Sequence, residues 1–154
     1  MSESQDTDRE NPGLQSRGLQ NKGALQSYMD ASPFIHSCGM RVSEIDIDAE
    51  SLTLTMPLKP EMERGAGTGQ FHGGPIAALI DTAGCFALIM LLGRGVPTVN
   101  FRTDYLRPAV KTSLTAVASV RRVGKMVGVV DVDVYNDHRQ LVAVGRGTFG
   151  SQGG

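Results

Sequence analysis

The sequence has 154 residues, of which 40% are hydrophobic, 20% charged and 5% aromatic, with no tryptophan. That composition fits one ordinary globular domain able to bury a core, and excludes a fibrous, wholly disordered or multidomain protein. Lys and Arg number 15 against 16 Asp and Glu, a formal charge of -1, which leaves no electrostatic excess for gripping nucleic acid.

The first ten residues lack the basic start and apolar run of a secretory signal and are too acidic for a transit peptide, so a cytoplasmic protein is expected. Residues 1–23 are polar, with Leu14 and Leu19 as their large apolar groups, and are read as a disordered tail before a domain spanning 24–150. Ala24 to Ala31 then suits a short helix with Tyr28 and Met29 on its buried side, stopped by Pro33.

Two strands follow, about Met40 to Ile47 and Ser51 to Leu58, the second alternating Leu52, Leu54 and Met56 with Ser51, Thr53 and Thr55. A Gly-dense loop, Gly65 to Gly74, leads into Pro75 and a long apolar helix ending near Gly93. Period two then returns in four strands, Thr98 to Leu106, Thr112 to Val120, Lys125 to Tyr135 and Gln140 to Phe149. The class is α+β with antiparallel strands, and the short turns predict that consecutive strands are sheet neighbours.

Between Ile76 and Leu92 the ionisable groups are Asp81 and Cys85, and apolar residues run all round the helix. Such a helix is buried. As a membrane span it would be short, with Asp81 inside it and no basic flank; the reading preferred is a helix wrapped by a curved sheet. A buried carboxylate is costly unless hydrogen-bonded or paired. Asp81 lies beyond the first turn, where an Asp would serve as a cap, so a catalytic role is favoured over a structural one.

The Gly73-Gly74 helix start offers free backbone N–H groups and the positive end of the helix dipole, suited to an oxygen that becomes negative. The competing reading is that these glycines only relieve a tight turn. His72 before them is placed to hold the loop by hydrogen bonds. Seven residues of helix put Asp81 about 10 Å from this end, beyond hydrogen-bond reach of about 3 Å. If both serve one substrate, the second end comes from another copy of the chain, and the functional unit is at least a dimer.

The string Phe71-His-Gly-Gly-Pro-Ile-Ala-Ala-Leu-Ile-Asp81-Thr-Ala-Gly resembles the hotdog-fold acyl-CoA thioesterases of the 4-hydroxybenzoyl-CoA thioesterase superfamily, in the PaaI-like branch. The resemblance covers about residues 25–150. It implies a curved antiparallel sheet around one long central helix. It further implies hydrolysis of an aryl- or medium-chain acyl-CoA in a homo-oligomer, a dimer at least and in expectation a tetramer.

In this family's scheme the Gly73 N–H polarises the thioester carbonyl, and Asp81 of the facing subunit activates water or attacks directly. His72 orients the loop, and Thr98 takes the position of a Ser or Thr that helps place the water. Many relatives carry an Asn six residues before the His, where this chain has Ala66; Gln70 and Arg64 are the candidate substitutes. Gly74 and Gln70 are further candidates for substrate contact. Arg107 and Lys125 are candidates for the CoA phosphates, with Arg121 and Arg122 also near strand ends.

Other chemistries fit less well. No Gly-x-Ser-x-Gly elbow is present. Cys85, one turn after Asp81, is expected to have its pKa raised and to be a poor nucleophile, and Cys38 and Cys85 are both read as reduced. His36, His72 and His138 are far apart in sequence, and neither a metal nor a cofactor is expected. Two further readings on the same fold are a non-catalytic acyl-CoA-binding module, with Asp81 only a structural acid, and a hydratase or dehydratase.

Overall fold

The computed structural model describes residues 19–153, so residues 1–18 of the expected tail lie outside the described residues. The chain enters helix α1 (Lys22–Asp30) at Asn21, whose side chain accepts hydrogen bonds from the N–H groups of Gly23 and Ala24 at 2.9 and 3.2 Å. This cap starts the helix two residues before the apolar pattern does, and Leu19 just ahead of it packs on the core.

Leu25 and Met29, one turn apart, form the buried side of α1. Tyr28, expected beside Met29, is instead exposed, because its position on the helix points about 100° away from Met29. Its ring meets Phe86 edge-on, with centroids 6.1 Å apart. Pro33 stops α1 but also starts a second short helix that the pattern did not reveal, α2 (Pro33–Cys38). Ser32 caps it by accepting from the Ile35 N–H at 3.4 Å, with Pro33 in the first turn, where no N–H is needed.

The six strands are β1 (Arg41–Asp46), β2 (Ser51–Met56), β3 (Thr98–Tyr105), β4 (Leu114–Val123), β5 (Val127–Tyr135) and β6 (Leu141–Gly150). They form one antiparallel sheet in the order β1-β2-β4-β5-β6-β3. β4 runs through a bulge between Val120 and Arg122 to Val123, so residues 121–123, expected as turn, are strand.

Consecutive strands are not all neighbours. β3 pairs with β6, from Thr98 opposite Phe149 to Tyr105 opposite Ala143, and forms a sheet edge. The 106–113 link cannot close a β3–β4 hairpin because its backbone serves the Gly-rich loop. The Ala109 carbonyl accepts from the Phe71 N–H at 2.9 Å, and the Lys111 N–H donates to the Gly69 carbonyl at 2.7 Å. Pro108, with no N–H, offers nothing to a ladder. The link carries the chain back across the sheet, and β4 joins β2.

Helix α3 (Gly73–Leu92) lies in the concave face of this sheet. It is long and apolar enough to cross a membrane, but the sheet covers it. Leu79, Ile80, Ala83, Leu88 and Met90 are buried with Leu52, Leu54, Leu114, Val132 and Phe149. The approach is close. A Cβ on Gly84 of α3 would stand 2.8 Å from Cζ of Phe149, and one on Gly145 of β6 would stand 2.5 Å from Cγ2 of Ile80.

The helix is not buried all round. Ala77, Ala78, Asp81 and Cys85 are only half-buried, because the sheet ends at β3 and leaves this side without a further strand. The fold is the expected hotdog arrangement, one antiparallel sheet around one long helix.

Candidate active site

The N-terminus of α3 leaves one backbone donor over. His72 is the cap, and its Nδ1 accepts from the Gly74 N–H at 3.1 Å. Pro75 has no N–H. The Gly73 N–H has no acceptor among the described residues, and so stands free at the positive end of the helix dipole.

The residues around this donor come from the neighbouring loops. Gly73, Arg64, Gln70, Tyr105 and Arg107 share the walls of a cavity of about 380 Å³. The Gln70 carbonyl accepts from the Arg64 N–H at 2.8 Å, which keeps both proposed substitutes for the absent Asn beside Gly73. Ala66 itself is exposed in the loop. Tyr105, which sequence reasoning did not single out, donates its hydroxyl to the Gly73 carbonyl at 2.7 Å. Its sequence signal is the period-two spacing of Phe101, Thr103 and Tyr105, which sets all three on one face of the strand.

Asp81 forms a second centre. Its Oδ1 accepts from the Thr98 hydroxyl at 2.8 Å, so the carboxylate is partnered at one oxygen. Both residues line a separate cavity of about 400 Å³ with Phe34, Ile35, Cys85 and Phe86. The Cys85 thiol donates to the Val96 carbonyl at 3.3 Å. Burial, and then the neighbouring Asp81 charge, push it up to about 12, while the Val96 bond pulls the other way. A thiol so held is not a nucleophile at neutral pH.

The two centres sit at different points of one helix, about 12 Å apart for the rise from residue 73 to 81. β3 runs antiparallel to α3 and touches both: its first residue, Thr98, bonds Asp81, and its last, Tyr105, bonds Gly73. Gly74 faces a third cavity of about 550 Å³, with Phe34, Lys59, Met62 and Pro75. Lys125 lies in the β4–β5 turn, which packs near the C-terminal half of α3, away from Gly73.

Arg121 faces the outer side of the sheet in a groove of about 640 Å³. There the guanidinium of Arg146 bonds Asp131 at 2.5 and 2.8 Å and holds its carboxyl below the ordinary range, while Arg121 approaches the same carboxylate at 3.4 Å. Among the described residues no group of three or more His, Cys, Asp or Glu side chains could hold a metal ion.

Comparison with known proteins agrees with this fold. Residues 68–143 match the family model described as the thioesterase superfamily. A Halobacterium salinarum protein provisionally named an esterase is 38% identical over 136 residues, covering 81% of this chain and 88% of that one. The acyl-coenzyme A thioesterase PaaI of Escherichia coli is 33% identical over 111 residues, covering 71% and 77%. The solved structure of PaaI superposes with a TM-score of 0.75 at 28% identity, over 88% of this chain and 97% of that one. The chain therefore belongs to the thioesterase superfamily, as a hotdog-fold thioester hydrolase of the PaaI-like branch.

Proposed function

We propose that the substrate is an aryl- or medium-chain acyl-CoA, cleaved to free acid and CoA at a site shared by two subunits. The observation that carries the reading is the tie of β3 to both centres of α3. β3 is a free sheet edge bearing the exposed apolar residues Val99, Phe101 and Tyr105. Antiparallel pairing of two such edges about a two-fold axis sets the Thr98 end of one strand beside the Tyr105 end of the other. Asp81 of one copy then faces the free Gly73 N–H of the other, twice per dimer.

In that site the thioester carbonyl oxygen points at the Gly73 N–H, which stabilises the negative charge that develops on it. Thr98 fixes Oδ1 of Asp81 and leaves Oδ2 to work on the carbonyl carbon. As general base, Oδ2 takes a proton from the attacking water; as nucleophile, it bonds the carbon and forms an anhydride that water then opens. Either route expels the CoA thiolate. Arg107, with Arg64 beside it at the Gly73 cavity, supplies positive charge for the CoA phosphates. The names of PaaI and of the medium/long-chain acyl-CoA thioesterase YigI, 26% identical over 133 residues, support an acyl-CoA substrate.

The test is release of CoA thiol from a panel of aryl and fatty acyl-CoAs by wild type and Asp81→Asn, with sedimentation of the active species. Wild-type turnover lost in Asp81→Asn, from a species no smaller than a dimer, is the expected result. Binding of acyl-CoA without release would establish a non-catalytic binding module instead, and an active monomer would overturn the shared site.

A further inference from the structure

We propose that Tyr105 is a positioning residue for the Gly73 donor, an inference that rests on the thioester-hydrolysis reading above. Its hydroxyl donates to the Gly73 carbonyl at 2.7 Å, while the N–H at the other end of the same peptide, that of Gly74, donates to His72 Nδ1 at 3.1 Å. A peptide unit is planar, so side chains grip this one at both ends and fix its plane.

On the other side of Gly73, the His72 N–H is anchored to the Met62 carbonyl at 2.8 Å. Gly73 is the joint between these held parts, and as a glycine it would otherwise swing widely. The Tyr105 ring also lies against it: a Cβ on Gly73 would stand 3.1 Å from the Tyr105 hydroxyl oxygen and 3.2 Å from its Cζ. A side chain at Gly73 would thus press on the ring, and the hydroxyl restrains the freedom that glycine brings.

The consequence is catalytic, though Tyr105 acts on Gly73 and not on the reacting atoms. A donor stabilises a developing oxyanion only if it is already aimed at it, at about 2.7–3.1 Å. A Gly73 N–H that wanders still admits substrate but meets the transition state less often. Removing the hydroxyl should therefore lower kcat and spare KM, because ground-state binding uses the cavity walls and not the aim of one N–H.

Tyr105→Phe keeps the ring and removes the donor, whereas Tyr105→Leu removes both. The expected result is a fall in kcat of about tenfold in each, with KM and the Kd of a non-hydrolysable thioether analogue of the substrate unchanged in Tyr105→Phe, which keeps the ring in the cavity wall. The backbone amide resonance of Gly73 should shift in Tyr105→Phe. Full kcat in Tyr105→Phe, or an unmoved Gly73 amide, overturns the proposal, and those two readouts decide it even if Tyr105→Leu does not fold. Activity lost in Asp81→Asn but kept in Tyr105→Phe sinks this inference alone. A wild type that hydrolyses no thioester sinks the functional reading and this inference together.

Discussion

Replacing Thr98 by Val removes the hydroxyl that donates to Asp81 Oδ1 at 2.8 Å and keeps the shape of the side chain. A hydrogen bond to an ionised carboxylate contributes about 1.5–3 kcal/mol. This pair faces a cavity open to solvent, which puts it at the low end, about 1.5 kcal/mol, or about tenfold in rate. Asp81→Asn removes the base or nucleophile itself and should cost about 10²–10⁴-fold. If Thr98 works only by holding Asp81, the two losses do not add. The double variant Thr98→Val with Asp81→Asn should be no slower than Asp81→Asn alone, and Thr98→Ser should restore most of the single loss. The assay is kcat/KM from CoA thiol release for wild type, both single variants and the double. A Thr98→Val penalty that persists at full size on the Asp81→Asn background would show that Thr98 acts on the substrate or on the fold, and refute the argument from the 2.8 Å contact.

Three further outcomes follow from the packing and the charges. Gly145→Ala would place a Cβ 2.5 Å from Ile80 Cγ2 and 2.8 Å from the Arg102 carbonyl oxygen of the paired strand. It should cost about 1–3 kcal/mol in thermal denaturation, and an unchanged midpoint would deny the close approach of helix to sheet. Phe101→Lys charges the free β3 edge and should yield inactive monomers by sedimentation; monomers with full activity would contradict the edge-pairing account. Cys85 is raised from 9.0 to about 12, so between those values the unfolded chain gives up the thiol proton that the folded chain keeps. Stability must then fall as pH rises from about 9 toward 12. Cys85→Ala should flatten that alkaline limb of a denaturation series, and an identical slope would rule out burial of a neutral thiol as its cause.

The elements and the site were legible in the sequence to different depths. The long helix announces itself as an unbroken apolar run and the strands by their alternation, and the glycines before Pro75 mark where the helix begins, because these signals depend on residues near in sequence. The place of β3 was not legible, since nothing in Thr98 to Tyr105 names β6 as its partner. That pairing follows from the 106–113 link being spent on the Gly-rich loop, an interaction between distant segments. Pro33 shows the same limit on a smaller scale: a proline reads as a stop, and only the Ser32 cap makes it also a start. Asp81 stood out as a charge in an apolar run. Tyr105 did not, because a tyrosine in a strand is ordinary and its importance arises from Gly73, 32 residues earlier.

The position of β3 also bears on when the site comes into being. Among the described residues its one sheet partner is β6, the last of these six strands to leave the ribosome. A nascent chain can pair β1, β2, β4 and β5 and begin to cover α3 while Thr98 to Tyr105 still has nothing to lie against. Its contacts to Asp81 and Gly73 wait for residues 141–150 and for the loop between β3 and β6 to close. Until β6 emerges, the chain carries its chemistry in pieces, and the strand that joins them is the last part of the sheet to find its place.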